Sequence, residues 1–229
     1  MLRNAMMTKA MVLTRVKKPL VFMEIKLQSL RNFDVKVKIL FSGICHTQLL
    51  ETNGNRGIDK FLPHCLGHEA SAVVIEIGNK VKTVSVGDKV ALSWIKCSGG
   101  FSGGKVHSEF ESGTMVNSGP VSTFANHAVV SEDRCYKLIS DIDDKITSIL
   151  GCALGTGYGL VNRTASVKEN ESVAIVGAGG IGLSTLIFLK KFQKISITVF
   201  DLSESALNNA RQILDCDTVN SSNGYEQEY

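Results

Sequence analysis

Residues 172–182, SVAIVGAGGIG, decide the fold class of the second half of the chain, because a run of apolar residues leads directly into a glycine-rich turn. Apolar residues then recur at helical spacing over 180–192, and residues 195–200 form a second apolar run. A second helical pattern covers 203–214, with Ser203 as its N-cap. This alternation of strand and helix predicts a parallel sheet in which the strand at 172–176 is buried.

Only fifteen residues follow Leu214, whereas a complete doubly wound nucleotide-binding domain needs several further strands. We therefore interpret residues 161–229 as an incomplete domain of this kind. Either the chain is a truncated form of a longer parent, which we expect, or the other half of the domain comes from elsewhere. A protein that ended here would expose a sheet edge and could fold poorly or aggregate.

The first 160 residues show mainly strand patterns. Apolar residues and lysines alternate over 35–41, residues 70–77 are small or β-branched, and 123–130 is a further strand candidate. Residues 98–120 are polar and glycine-rich without a clear period, which predicts a surface loop or an irregular lobe. These patterns favour a mostly β domain, with a small barrel as one possible form.

Composition excludes several classes of protein. The 229 residues contain 25 Lys and Arg against 22 Asp and Glu, and the net charge of +3 is spread along the chain, so nothing requires a nucleic-acid partner. The N-terminus lacks the apolar core of a signal peptide, and no window resembles a membrane span. We expect a cytoplasmic protein without a membrane partner, whose six scattered cysteines are reduced.

The glycine-rich turn suggests a dinucleotide site. Gly177 permits the tight turn, Gly179 lets the backbone approach a pyrophosphate, and Gly182 allows a helix to pack closely on a strand. Asp201 follows Gly182 by nineteen residues, where a carboxylate can bind both ribose hydroxyls and repel a 2′-phosphate. This favours NAD over NADP. Two alternatives are a glycine turn without a ligand and an Asp201 that only begins the next helix.

Three residues suggest a metal site, because Cys45, His68 and Cys152 each lie in a setting typical of a ligand. Two thiolates and one imidazole leave a tetrahedral zinc with an open position, as in catalytic sites. Zinc would act there as a Lewis acid on an alcohol oxygen. Sequence spacing does not require this, since free cysteines and single histidines are commonly structural.

Four motifs in this order resemble the zinc-containing alcohol dehydrogenases of the medium-chain family. They are residues 42–47 (SGICHT), 63–70 (PHCLGHEA), 151–159 (GCALGTGYG) and 176–182 (VGAGGIG). The resemblance covers nearly the whole chain. It implies an α/β protein with a large β part, namely a GroES-like β-barrel catalytic domain over residues 1–160 and an incomplete Rossmann domain over residues 161–229.

The resemblance also implies roles for single residues. Cys45, His68 and Cys152 match the catalytic zinc ligands, Glu69 an acid beside the metal, and Thr47 a hydroxyl that passes the alcohol proton outward. A solvated turn residue is the alternative for Thr47. The implied cofactor positions are His46 near the pyrophosphate, Thr156 near the nicotinamide, and the glycine turn with its acid: Gly177, Gly179, Gly180, Ile181, Gly182 and Asp201.

The chain departs from the family pattern in three places. Relatives often hold a second, structural zinc with four clustered cysteines, but Cys97 is alone in that stretch, so we predict one catalytic zinc and no structural zinc. Gln48 stands where the family often has an aspartate that orients the zinc-binding histidine, so this support is either weakened or rearranged. Leu50 replaces a relay histidine.

The expected reaction is reversible oxidation of an alcohol to an aldehyde or ketone by hydride transfer to NAD. The sequence does not select the alcohol. Two other readings stay open: a zinc-independent quinone-type reductase, and a non-catalytic zinc-binding fragment. A full-length parent is expected to be a homo-oligomer, which is doubtful for this chain alone.

Overall fold

The computed structural model describes residues 6–223 and contains more strand than helix. Its contacts divide the chain into two compact units, Met1–Cys152 and Ala153–Tyr229. Among the described residues, no helix combines the length and the apolar character needed to cross a bilayer.

A closed barrel of five strands forms the first layer of the first unit, in the order β1, β2, β7, β8, β4. Neighbouring strands are antiparallel except β4 and β8, which run parallel. Its small core contains Val12, Ile25 and Val116. The barrel strands are β1 (Met7–Leu13), β2 (Val21–Lys26), β4 (His64–Cys65), β7 (Lys105–Glu109) and β8 (Met115–Ser118).

A five-stranded antiparallel sheet in the order β10, β6, β5, β3, β9 completes the β structure of the first unit. Val35 and Val37 of β3 are fully buried and alternate with Lys36, as predicted. The alternation ends at a register shift before Phe41, which is 44% exposed. The strands are β3 (Asp34–Ser42), β5 (Ala70–Ile77), β6 (Lys89–Leu92), β9 (His127–Ser131) and β10 (Cys135–Lys137).

Two short helices also belong to the first unit: α1 (His46–Thr52) and α2 (Asp144–Thr147). Gln48 and Cys45 form a capping box at the start of α1. Asp143 caps α2 by accepting a hydrogen bond from the backbone N–H of Lys145.

The prediction of a surface loop or irregular lobe over residues 98–120 is wrong for much of this region, which contains strands β7 and β8 of the barrel. Its inward-facing positions include Lys105 and His107, both almost fully buried, whereas Val106 is 39% exposed. In β7 the polar residues therefore face inward and the apolar residue faces outward. A search for buried apolar positions misses such a strand.

The remaining loop at residues 98–104 is held by the carboxylate of Glu132, which is 2% exposed. One oxygen accepts hydrogen bonds from the backbone N–H groups of Lys82 and Thr83, at 2.6 and 2.8 Å. The other oxygen accepts from the N–H of Gly100 at 2.7 Å. Burial raises the pKa of Glu132, but these donors outweigh burial and the net pKa is lowered. A single buried carboxylate thus joins two loops.

The second unit contains a parallel three-stranded sheet in the order β11, β12, β13, with helices that pack around it. Helix α3 (Gly155–Gly159) lies between two π-helical turns, Leu150–Leu154 and Leu160–Thr164. The other elements are β11 (Ser172–Val176), α4 (Gly180–Leu189), β12 (Ser196–Asp201), α5 (Glu204–Ile213) and β13 (Asp217–Asn220).

The predicted parallel sheet and the Ser203 cap are confirmed, since the Ser203 hydroxyl accepts from the backbone N–H of Ala206 at 3.4 Å. The prediction of a buried first strand is wrong. Strand β11 lies at the edge of the described sheet, and Val176 is 84% exposed, although Ile175 is buried. Strand β13 was not predicted because its residues are mostly polar.

Candidate metal and nucleotide sites

The three predicted metal ligands lie together within the first unit. The sulfur atoms of Cys45 and Cys152 and a ring nitrogen of His68 all lie within 4.8 Å of one another. Tetrahedral zinc with typical bond lengths places sulfur and nitrogen ligands about 3.5–3.8 Å apart. Small side-chain shifts would therefore close this triad around an ion.

Each ligand lies within or next to a secondary-structure element. Cys45 is the N-cap of α1, His68 lies two residues before β5, and Cys152 lies in the first π-helical turn. Cys152 is only 9% exposed. Because the elements themselves pack in a β-rich unit, the ligands are placed by the fold instead of by a mobile loop.

The buried environment of His68 fits metal binding. Burial, and secondarily the positive charge of Arg56, lower the pKa of His68, so that the ring favours the neutral form that metals require. Its Nε2 is buried and finds no hydrogen-bond partner among the described residues. Such an unpaired polar atom is costly unless a ligand satisfies it.

The thiol of Cys152 also depends on its neighbours. Burial raises the pKa of Cys152 to about 12, and the charges of Glu69 and Cys45 add to this. The indole of Trp94 hydrogen-bonds the sulfur and acts in the opposite direction. A bound metal cation would instead lower the pKa of Cys152, since metals bind cysteine as thiolate.

Glu69 lies beside the triad, where the sequence predicted an acid. It is 2% exposed, and its side chain fills space left by two glycines. A Cβ on Gly43 would lie 2.7 Å from the carboxylate. A Cβ on Gly151 would lie 2.1 Å from the carbonyl oxygen of Leu92 and 3.0 Å from the Glu69 Cβ. The sequence did not predict a role for Gly43 or Gly151, although they belong to the motifs at 42–47 and 151–159. It also did not predict the hydrogen bond of Trp94 to Cys152.

Gln48 occupies the position expected to support His68. Its side-chain Nε2 lies 2.6 Å from His68 Nδ1, and its Oε1 accepts a hydrogen bond from the backbone N–H of Cys45 at 2.8 Å. Gln48 therefore still contacts the histidine, but through an amide instead of a carboxylate. The support of His68 is rearranged and not lost.

Thr47 and His46 begin helix α1 next to Cys45. The hydroxyl oxygen of Thr47 lies 3.7 Å from the Cys45 sulfur, and the residue is half-buried. His46 is exposed. A cavity of about 800 Å³ in the same unit reaches His68 and Gln48 and is also lined by Arg56 and Phe61.

The glycine turn and Asp201 come together in the second unit. Gly177 has φ +96°, in the left-handed region that favours glycine. A Cβ on Gly182 would lie 2.0 Å from the carbonyl oxygen of Gly177, so only glycine allows α4 to approach the turn. Around Gly179 and Gly180, by contrast, no described atom lies within 4 Å of an added Cβ, which leaves room above the turn.

Asp201 connects the turn to the start of α5. One carboxylate oxygen accepts from the N–H of Ala178 at 2.7 Å and the other from the N–H of Ser203 at 2.8 Å. The donors of Ser203 and then Ala178 lower the pKa of Asp201. The helix-start role that the sequence left open is thus present. A carboxylate has about four acceptor sites, so the three backbone donors Ser203, Ala178 and Leu202 leave room for a further donor. In the same unit Ile181 is 44% exposed and Thr156 is half-buried in α3.

Comparisons with known proteins agree with this geometry. Residues 31–141 match the model of the alcohol dehydrogenase GroES-like domain. S-(hydroxymethyl)glutathione dehydrogenases from Synechocystis and from Photobacterium damsela subsp. piscicida are 29% and 31% identical over 94% and 88% of this chain. Residues 31–141 therefore belong to the alcohol dehydrogenase GroES-like domain family. The resemblance inferred from the motifs is confirmed.

Solved structures show that the alcohol dehydrogenase fold extends over nearly all of the chain. The benzyl alcohol dehydrogenase of Acinetobacter calcoaceticus is 26% identical with a TM-score of 0.79, over 96% of this chain and 65% of that structure. An alcohol dehydrogenase zinc-binding domain protein from Burkholderia ambifaria, 23% identical, has the same TM-score. The predicted fold class is confirmed. The chain spans 64% and 61% of the lengths of the two curated relatives.

Proposed function

We propose that this chain carries the metal site and part of the cofactor site of a zinc-dependent alcohol dehydrogenase that transfers hydride between an alcohol and NAD. The observation that carries this proposal is the convergence of the ligand atoms of Cys45, His68 and Cys152 within 4.8 Å of one another. We assign residues 1–160 to the catalytic domain and 161–229 to a partial Rossmann domain.

The metal would be held by Cys45, His68 and Cys152, and the cofactor by the glycine turn with Asp201. When bound, zinc would supply Lewis-acid polarisation of the substrate oxygen and NAD would supply the hydride acceptor. The residues of this chain would orient the substrate alcohol and accept its proton. Thr47 Oγ1, beside the Cys45 sulfur, would accept the alcohol proton and pass it toward solvent.

The second unit would bind the pyrophosphate and a ribose of the dinucleotide. The space over Gly179 and Gly180 would accept the pyrophosphate at the start of α4. The carboxylate of Asp201 would accept hydrogen bonds from the ribose hydroxyls, and its charge would repel a 2′-phosphate. We assign His46 to the pyrophosphate and Thr156 to the nicotinamide on the basis of the family motif. The substrate is a small alcohol or aldehyde.

The first experiment measures zinc per chain by elemental analysis and assays NAD-dependent oxidation of simple alcohols on the same samples. We expect one zinc per chain, lost or much weakened in Cys45→Ser and Cys152→Ser. Cys97→Ser is the matched control, because this half-buried thiol lies outside the triad and should leave zinc content unchanged.

The outcomes separate the competing functions. One zinc with turnover would establish the dehydrogenase for this chain. One zinc without turnover would favour a metal-binding piece that needs further sequence for catalysis. Well-folded protein without zinc would refute the metal site and favour a zinc-independent reductase, and a second zinc lost in Cys97→Ser would refute the prediction of no structural zinc.

A further inference from the structure

Gln48 contacts two metal-ligand residues through its side-chain amide, in which the oxygen accepts hydrogen bonds and the NH₂ group donates them. It is 4% exposed and lies in the first turn of α1. Its Oε1 is 2.8 Å from the backbone nitrogen of Cys45, and its Nε2 is 2.6 Å from His68 Nδ1. A backbone N–H can only donate, so the amide oxygen must face Cys45 and the amide NH₂ must face the histidine.

This arrangement determines where the His68 ring carries its proton. An NH₂ group donates, so His68 Nδ1 must accept through a lone pair. In a neutral ring the proton then resides on Nε2, the buried atom that has no partner within residues 6–223. The hydrogen bond from Gln48 thus favours the tautomer in which Nε2 carries the proton of the metal-free ring.

Metal binding requires the opposite tautomer. A metal needs the lone pair of Nε2, and the proton must then reside on Nδ1, where it would meet the NH₂ of Gln48. Two donors 2.6 Å apart repel each other. Turning over the amide removes the conflict, but it withdraws the single carbonyl oxygen from the N–H of Cys45, itself a ligand residue.

We propose that Gln48 is a positioning residue that holds His68 in the tautomer unable to bind metal, and that its amide must turn over before zinc is bound. The proposal rests on the proposed metal site. A carboxylate here would have two acceptor oxygens, one for the Cys45 N–H and one for a protonated His68 Nδ1, so the site would be organised for metal from the start.

The test compares the wild type with Gln48→Glu, which keeps the side-chain length. Nitrogen-15 NMR of the metal-free, histidine-labelled protein identifies the protonated ring nitrogen of His68. Zinc affinity is measured separately by competition with a chelator. We expect protonated Nε2 in the wild type, protonated Nδ1 in Gln48→Glu, and zinc affinity about 10- to 100-fold higher in the variant, the range typical for outer-shell partners of metal ligands.

Leu49→Glu controls for added charge, because Leu49 is 51% exposed on the same helix. It should leave the tautomer unchanged and zinc affinity within about twofold of the wild type, as expected for an exposed charge in water. Gln48→Asp provides a second carboxylate if Gln48→Glu fails to fold.

Protonated Nδ1 in the metal-free wild type would overturn the proposal, and so would equal zinc affinity in the wild type and the carboxylate variant. Both results are compatible with a functioning metal site. Absence of zinc binding in all variants would instead refute the proposed function, so the two failures are distinguishable.

Discussion

Asp34 and Lys105 form an ion pair that is completely buried inside the first unit. Lys105 Nζ lies 3.1 Å from an Asp34 carboxylate oxygen, and neither side chain is exposed to solvent. Asp34 also accepts from the backbone N–H of Arg31 at 2.8 Å and from the hydroxyl of Ser102. Burial lowers the pKa of Lys105. Burial also raises the pKa of Asp34, but the hydrogen bonds from Ser102 and Arg31 and the charge of Lys105 outweigh it, so the net pKa of Asp34 is lowered.

The two members of this pair should respond unequally to mutation. Asp34→Asn leaves a buried ammonium without a counter-charge and should lower the free energy of unfolding by about 3–5 kcal/mol. Lys105→Met leaves a carboxylate that still has Arg31 and Ser102 as donors, so we expect a loss of only about 1–3 kcal/mol. Urea unfolding followed by the fluorescence of Trp94, the only tryptophan, measures both. Equal losses would contradict the compensating role of Arg31.

At the scale of the element, helix α4 depends on its approach to the glycine turn. Alanine within a helix is normally more stable than glycine by about 1 kcal/mol. Gly182→Ala should do the reverse and destabilise the second unit by about 1–3 kcal/mol, because its Cβ would lie 2.0 Å from the Gly177 carbonyl. Hydrogen exchange of the backbone amides in α4 and β11 would detect this loss.

Gly180→Ala is the matched control for that experiment, because the same methyl group would meet no described atom within 4 Å. We expect unchanged or slightly slower exchange in this variant. If both alanines destabilised the unit equally, the close contact of α4 with the turn would not be what makes glycine necessary at residue 182.

Elements with a clear alternation of polar and apolar residues could be predicted from the sequence, and those with polar interiors could not. Strand β5 was predicted with its observed bounds, Ala70–Ile77, because its small and β-branched residues form one continuous run. Strand β7 was missed because its buried positions carry Lys105 and His107, whose pairing partners are distant in sequence.

For the candidate site, the sequence predicted the metal ligands but not the contacts that surround them. Motifs identified Cys45, His68 and Cys152, but the amide orientation of Gln48 and the space that Gly43 leaves for Glu69 depend on packing between distant segments. Such contacts are tertiary properties that no local pattern encodes.

For the whole molecule, acid stability should depend on His107. Burial, then the charge of Lys105, lower its pKa from 6.5 to about 4, and its neutral Nδ1 accepts from the N–H of Gln28. A depressed folded pKa means that the unfolded chain binds the extra proton first. The stabilisation is complete above pH 6.5 and is lost as the pH falls toward 4.

We expect the free energy of unfolding to fall by about 2 kcal/mol between pH 7 and pH 5 because of this residue alone. His107→Gln keeps an acceptor for Gln28 and removes the titration, so its stability should vary less over this interval. Urea unfolding at both pH values, again followed by Trp94, gives the comparison. An unchanged pH dependence in the variant would show that His107 is not responsible.

The carboxylate of Glu132, which joins the loop at Gly100 to the backbone of Lys82 and Thr83, has a chemical consequence. Peroxide and strong chelators attack thiolate–metal clusters, but neither reacts with a buried carboxylate bound to amide groups. This part of the protein should therefore keep its shape under oxidative stress or metal starvation, conditions that would dismantle a lobe held by four cysteines.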